Sequence, residues 1–437
     1  MFRIDGKYTT ATVMIDGVES ECIAQIQAFL NHPAFTQPVA IMPDTHAGKG
    51  SVIGFTMPLG DNVVPYTIGV DVGCGVLAEV IGDIPIDLPM LDTMIRKYVP
   101  TGFNVHTKPI RNFRREFPWH DANVSYALFR MAYEEKFEKK LPRVEFSYEW
   151  FTEFCGKIGA SVDNVECSIG TLGGGNHFIE IARSDDGDIW VVVHSGSRNF
   201  GLKIANYYQQ IAVKAQMAPK DFHLKVDKIR ERFSGPDIAR EIAKLKEEYR
   251  MGLPRDLAFL SGESAHEYFH AMIFAQHYAQ FNRKVIVDEI LKSIPDYMGG
   301  ARREWIESVH NYIDFDDMII RKGAIRSYKD EQLIIPLNMR DGSLIGVGKS
   351  NPVWNCSAPH GAGRIMSRSV AKRTLNVDAF RKQMDDSGIY TTSVGKDTID
   401  EAPAAYKDAK LIEEAIAPTV DVIGKIRPLY NLKAGGE

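Results

Sequence analysis

The sequence predicts an α/β fold, and three observations carry that prediction. Short apolar runs separated by glycine turns fill the first 80 residues, a long amphipathic stretch follows in mid-chain, and strand-like runs return near residues 333–347. In the first region Val39–Met42 and Val76–Val80 read as strands, with Gly48, Gly50, Gly54, Gly69, Gly73 and Gly75 between or beside them. Trp190–Val193 reads as a further strand before a glycine-containing turn. From about Leu202 to Tyr278 the period becomes helical, and the mixed charges of Asp237–Tyr249 read as a solvated helix face. Leu333–Ile335 and Leu344–Val347 are strand-like again, and the tail from Pro403 to Ile426 is expected to be helical. No repeat, low-complexity tract or linker divides the chain. The length of 437 residues alone would suggest about three domains. The pattern instead predicts one unit over residues 1–437, carrying a helical insertion at about residues 202–300.

Composition excludes several classes. Apolar residues make up 44% and charged residues 25%, as in ordinary globular proteins. No apolar run approaches the length of a bilayer span, and the start lacks a signal-peptide pattern, so a cytoplasmic protein without membrane contact is expected. The five cysteines are scattered, with no CxxC pair, which argues against a disulfide framework or zinc ribbon. A net charge of −5 excludes a surface coated in phosphate-binding cations but leaves room for a local basic cleft.

Histidine placement is the strongest chemical signal. Of twelve histidines, four sit in short polar or glycine-rich contexts: His177 after Gly175-Asn176, His194 before Ser195-Gly196-Ser197-Arg198, His310 before Asn311, and His360 before Gly361-Ala362-Gly363-Arg364. Asp71-Val72-Gly73-Cys74 puts a hard carboxylate and a soft thiolate three residues apart in a turn. Any one such histidine is most simply a satisfied turn residue, and a lone cysteine is most simply a small buried hydrophobe. Together they form a donor set suited to a divalent transition metal, with manganese, iron and zinc all compatible. After His360 the uncovered amides of Gly361–Gly363 suggest the N-terminus of a helix, on which Arg364, Arg368 and Lys372 would form one cationic stripe. A neutral imidazole before such donors could attack phosphorus. The bland alternative is a basic surface helix with a glycine cap.

The segments MPDTHAGKG (Met42–Gly50), IGVDVGCG (Ile68–Gly75), GTLGGGNHFIE (Gly170–Glu180), HSGSRNFG (His194–Gly201), HN (His310–Asn311), RKGAI (Arg321–Ile325), HGAGRIMSR (His360–Arg368) and DEAPAAYKD (Asp400–Asp408) resemble, in order, the motifs of the RtcB family of RNA-splicing and RNA-repair ligases. The resemblance implies a single α/β catalytic domain with mixed sheets around a central metal and nucleotide cleft. It implies two Mn²⁺ ions, with Cys74 shared, His194 and His310 on one ion, and Asp71 and His177 on the other. His360 would be the nucleophile on GTP, giving a histidine–GMP species that passes GMP to an RNA 3′-phosphate before a 5′-hydroxyl attacks. A 2′,3′-cyclic phosphate would first be hydrolysed. Glu180 and Lys433 would recognise guanine. Asn176, Asn311, Ser343 and the backbone of Gly361, Ala362 and Gly363 would hold phosphate or ribose. Arg198 and Lys322 would meet the RNA terminal phosphate, with Asp44 supporting catalysis.

This chain departs from the family at the nucleotide loop. It carries Pro336-Leu337-Asn338-Met339-Arg340-Asp341-Gly342-Ser343 where the family has a Pro-Gly-Ser-Met-Gly run, so the contacts of Pro336 and Met339 stand on altered surroundings. Before the nucleophile, Pro359 holds Ala358 away from helical geometry. Both departures suggest a divergent subfamily member. Two other readings exist. His266-Glu267-Tyr268-Phe269-His270 satisfies the HExxH pattern of zinc peptidases, and a relative with this fold could bind or regulate RNA without ligating it. The RNA substrate (tRNA halves, a cleaved anticodon or broken ribosomal RNA), the oligomeric state and any need for an activating protein partner are not legible in the residues.

Overall fold

The computed structural model describes residues 1–217, 221–249, 251–295, 297 and 304–434. Before the long helical region the strands are β1 (Phe2–Asp5), β2 (Thr10–Val13), β3 (Val39–Ile41), β4 (Phe55–Pro58), β5 (Asn62–Val63), β6 (Gly75–Gly82), β7 (Phe178–Arg183) and β8 (Ile189–Ser195). They continue with β9 (Leu260–Ser261), β10 (Trp305–Val309), β11 (Asn311–Asp314), β12 (Ile319–Lys322), β13 (Ala324–Arg326), β14 (Gln332–Asn338), β15 (Gly342–Gly348), β16 (Ser357–Pro359) and β17 (Val420–Lys433). Every strand foreseen in the sequence falls on one of these, with Met42 one residue beyond β3.

Two sheets organise the molecule. One runs β1-β2-β3-β4-β12-β11 and is mixed, with β2 and β3 parallel and every other neighbour pair antiparallel. The other runs β10-β6-β8-β7-β17-β15-β14 and is antiparallel throughout. Its two outer strands approach one another, and Ile334 N donates to Ser308 Oγ at 3.0 Å across the gap. The central strand β8 is Ile-Trp-Val-Val-Val-His-Ser, a β-branched run apolar on both faces. Val191 and Val193 join the cluster of Ile179, Ile286 and Ile290, while Val192 faces Ala78, Ile334 and Ile426. That alternation is the two-residue period of a strand buried on both sides.

The helix Glu263–Lys292 packs on one face of this sheet and supplies Ile286 and Ile290 to its core. Its buried positions run nearly all round, from Tyr268 and Phe274 to Asn282 and Arg283, which is why its sequence shows a weak polar face. Helices Arg198–Ala215, Phe222–Arg232 and Pro236–Glu248 precede it, and the last buries no residue, in keeping with its charged composition. Among the described residues no helix is long and apolar enough to cross a membrane.

The tail differs from the helical expectation. A helix occupies only Ala409–Ile416, after which the chain becomes the 14-residue strand β17 between β15 and β7. Pro418 ends the helix because it has no N–H to continue it, and Val420, Val422, Ile423 and Ile426 favour the extended chain. Pairing of Val420–Ile426 with β15 and of Arg427–Lys433 with β7 then decides the conformation, with irregularities at Ile345/Gly346 and Pro428/Tyr430 absorbing the mismatch.

A candidate metal centre between two cavities

Antiparallel register brings the sulfur, carboxylate and imidazoles together. Cys74 stands just before β6, His177 just before β7, His194 near the end of β8 and His310 just after β10. Because these strands pair as Val76↔His194, Phe178↔His194 and Val309↔Gly75, all four lie at one end of one sheet. The backbone ties their loops directly: His310 N donates to Cys74 O at 2.9 Å and Gly73 N to Asn311 O at 2.7 Å. Arg283, wholly buried on the long helix, donates Nη1 to Gly73 O at 2.7 Å and Ser195 O at 2.8 Å, with its charge balanced by Glu307.

The donor atoms form two overlapping sets, Cys74–His194–His310 and Asp71–Cys74–His177, each within 4.8 Å. Cys74 Sγ lies 3.3 Å from His194 Nε2 and 3.4 Å from His177 Nε2, His194 Nε2 lies 3.2 Å from His310 Nε2, and Asp71 Oδ2 lies 2.9 Å from His177 Nε2. Burial, then the neighbouring imidazoles, hold His194 and His310 well below the usual histidine range, so both are neutral with lone pairs converging on one point. Burial would raise Asp71, but the hydrogen bond and charge of His177 outweigh it and hold the carboxyl low. Burial and then the Asp71 carboxylate push the Cys74 thiol well up, a penalty that a cation in the cluster would reverse. Neutral imidazoles, a carboxylate and a thiol with this convergence fit divalent ions, with Cys74 common to both sets.

Glycine is required where the loops touch this centre. A Cβ on Gly196 would fall inside the Asp71 carboxylate, and one on Gly173 (φ +91°) would collide with the Arg198 guanidinium and the His177 ring.

His360 follows β16 and lies beside the centre, its ring 4.8 Å from that of His310. Its Nδ1 is 2.7 Å from Oδ2 of Asp44, which is fully buried. A carboxylate there makes Nδ1 the protonated nitrogen and leaves the Nε2 lone pair outward. Lys407 clamps the Asp44 loop by donating to Pro43 O at 2.7 Å and Thr45 O at 3.3 Å.

His360 opens onto a cavity walled by Asn176, Glu180, Pro336, Met339, Gly361, Ala362, Gly363 and Lys433, with Phe178, Glu401, Tyr406 and Asn431 completing it. Glu180 Oε1 is buried there without a hydrogen-bond partner, and burial raises this carboxyl to about 8. An orphaned acceptor on a cavity wall calls for a ligand donor. Lys433 Nζ donates to Glu401 Oε2 at 2.8 Å and Asn176 O at 3.2 Å. Burial would raise Glu401, but Lys433 and Arg368 overcome it and hold the carboxyl at about 2.

A family model described as "tRNA-splicing ligase RtcB" matches residues 25–434. The chain belongs to the RtcB family. Curated relatives include RNA-splicing ligase RtcB of Escherichia coli (strain K12) and RtcB1 of a second Escherichia coli strain, each 29% identical over 95% of both chains. The tRNA-splicing ligase RtcB of Archaeoglobus fulgidus is 24% identical over 98% of this chain and 94% of its own.

Within this RtcB fold the motif residues do not all converge. Asn176 lines the His360 cavity and also a second cleft, which contains Asp71, His177 and Arg198. Arg198 begins a helix at φ +57° and donates Nε to Thr171 Oγ1 at 3.0 Å and Nη2 to Gly102 O at 2.7 Å. Asn311 accepts from Gly323 N at 3.1 Å and packs on Gly69, away from the cavity wall. Ser343 is buried behind Gly342 with its hydroxyl unpartnered. Lys322 directs its ammonium to the carbonyls of Lys49, Ser51 (2.9 Å) and Tyr66 (3.0 Å), and burial lowers it to about 7.

Two expectations about local structure are corrected. Residues 361–367 are not helical; the helix is Arg368–Thr374, capped by Ser367. Gly363 sits at φ +73° against the Asp44 backbone, and Arg364 pairs with Tyr406 in an isolated bridge, so tertiary contacts hold the loop open. The three cations still gather, on Asp400 and Glu401: Arg364 to Glu401 at 3.4 Å, Arg368 to both at 3.1 and 3.2 Å, Lys372 to Asp400 at 3.8 Å. The HExxH reading also fails. His270 Nε2 donates to Tyr126 Oη at 2.5 Å while that hydroxyl donates to Pro142 O, Glu267 pairs with Lys157 at 2.8 Å on the surface, and the pair is not among the described groups able to share an ion.

The altered loop is compensated. Asn338 Oδ1 accepts from Arg340 N and Asp341 N, both at 3.0 Å, and its Nδ2 donates to Asp341, so a side chain closes the turn in the glycine's place. Residues missed in the sequence are Glu401, Tyr406, Asn431 and His46. The first two sit in DEAPAAYKD, a motif recognised without being assigned a task.

Proposed function

We propose that the protein is a cytoplasmic RNA ligase that joins a 3′-phosphate or 2′,3′-cyclic phosphate end to a 5′-hydroxyl end at the expense of GTP. The observation that carries this reading is His360, oriented by buried Asp44 beside the donor cluster and at the mouth of a cavity where Glu180 Oε1 lacks a partner.

In the proposed sequence His360 Nε2 attacks the α-phosphorus of GTP; a P–N bond forms and the P–O bond to pyrophosphate breaks. Asp44 holds the Nδ1 proton and stabilises the charge that develops on the ring. An oxygen of the RNA 3′-phosphate then takes the guanylyl group, breaking P–N. Finally the 5′-hydroxyl attacks the activated 3′-phosphorus, loses its proton and expels GMP. Glu180 would accept from the guanine edge, with Lys433 beside it, and the Gly361–Gly363 amides would face phosphate oxygens. Arg198 would meet the RNA phosphate. Asp71, Cys74, His177, His194 and His310 would hold two manganese ions, which supply Lewis-acid charge for phosphoryl transfer. The geometry of Asn311 and Lys322 favours supporting the surrounding loops over direct contact, whereas Ser343, its buried hydroxyl unpartnered, would hold phosphate or ribose.

The test is incubation with α-labelled GTP and Mn²⁺ followed by a denaturing gel. Acid-labile, base-stable label on the wild type and none on His360→Ala is expected. Equal labelling of both, or none on either with metal bound, would overturn the reading.

A further inference from the structure

Beside the metal centre, on the side away from the nucleotide cavity, lies the cleft that holds Asp71, His177 and Arg198. Its outer wall is apolar. Phe103 is 79% exposed there, and Val70 and Leu202, each 37% exposed, stand with it. An isolated exposed apolar side chain needs no explanation, but three around one polar cleft do.

The Phe103 loop is not a loose tip. Thr101 bridges Gly173, Gly102 N donates to Gly173 O at 2.8 Å, and Gly102 O accepts from Arg198 Nη2 at 2.7 Å. The same Gly102 carbonyl thus fixes both the guanidinium at the foot of the cleft and the backbone that presents the phenyl ring. Gly173, in turn, lies against both Arg198 and His177. Phenyl ring, cation and donor cluster are therefore positioned by one hydrogen-bonded unit.

We propose that Phe103, flanked by Val70 and Leu202, is a stacking platform for the base of the RNA nucleotide that carries the 3′-phosphate. This rests on the ligase reading. A phosphate drawn to Arg198 and the Asp71–His177 side of the centre places its own base on the outer wall. An aromatic face accepts any base, so the contact adds affinity without choosing sequence. In a chain of net charge −5, stacking supplies grip that overall charge does not.

The experiment measures binding of a 3′-phosphorylated oligoribonucleotide with 2-aminopurine as its last base, in the presence of Mn²⁺ and without GTP. Binding to the wild type is expected to quench the 2-aminopurine, and Phe103→Ala to lose the quench and bind roughly tenfold more weakly. Phe103→Trp is expected to restore both. An abasic last nucleotide should weaken the wild type by a similar factor and Phe103→Ala hardly at all. Unchanged affinity and quench in Phe103→Ala overturns the proposal, as does a quench seen only when the probe base lies at the 5′-hydroxyl end. GTP labelling of Phe103→Ala separates the two ideas: label at the wild-type level shows an intact nucleotide site, whereas failure of label in the wild type itself counts against the ligase reading.

Discussion

At the residue scale the proposed chemistry turns on which nitrogen of His360 holds the proton. Asp44 is buried and 2.7 Å from Nδ1, so an amide in its place would present N–H to that nitrogen and force the proton to Nε2. Asp44→Asn is expected to slow guanylylation by roughly 10²–10⁴-fold, with bound metal unchanged, as read by label transfer and metal analysis. Glu180 gives a second prediction. Burial raises its folded value to about 8, above the usual carboxyl range. The protonated form is favoured in the empty protein, so the stability it permits is complete below the unfolded value of about 4.3 and is lost as pH rises through 8. Glu180→Gln should therefore match the wild type in thermal midpoint near pH 5 and exceed it near pH 9, measured without nucleotide. A midpoint difference independent of pH would mean that the carboxyl does not titrate there.

Elements fix these residues only because two loops close on each other. The turn after β8 passes so near Asp71 that Gly196 has no room for a side chain. Gly196→Ala is expected to weaken metal binding roughly 10–100-fold by displacing a ligand rather than removing one, while far-ultraviolet dichroism stays unchanged. Calorimetric titration with Mn²⁺ reads the effect, and unaltered affinity would show that the loop yields. The same scale explains where periodicity misled. Gly361–Ser367 and Val420–Ile426 read locally as helix, yet one is held open by Asp44 and Tyr406 and the other pairs with β15. Neither partner is near in sequence.

Across the whole molecule, strands were legible because β8 and its neighbours are rich in apolar, β-branched residues, and the donor cluster was legible because glycine-rich turns advertise it. What could not be read was convergence. His310 lies 236 residues from Cys74 in a chain numbered 1–437, and only sheet register joins them. Nor could the sequence show that Lys322 is enclosed by three carbonyls, or that the cations near His360 are neutralised by Asp400 and Glu401. That neutralisation bears on RNA. With these cations already paired, a shallow dependence is expected: the logarithm of affinity should fall against the logarithm of salt with a slope of roughly −1.5, the value for about two phosphate contacts on a single strand. A fluorescence titration between low and moderate salt measures it, and a slope several times steeper would point to a basic tract elsewhere.

The donor cluster is also a partition. His194 and His360 border one cavity, Asp71 and His177 the other, and Asn176 borders both. Reactants entering from opposite sides of a wall do not queue. Under the proposed function an RNA end would be seated before pyrophosphate departs, and abundant nucleotide would not evict it. An unreactive GTP analogue should accordingly lower the maximal ligation rate and leave the KM for RNA where it was.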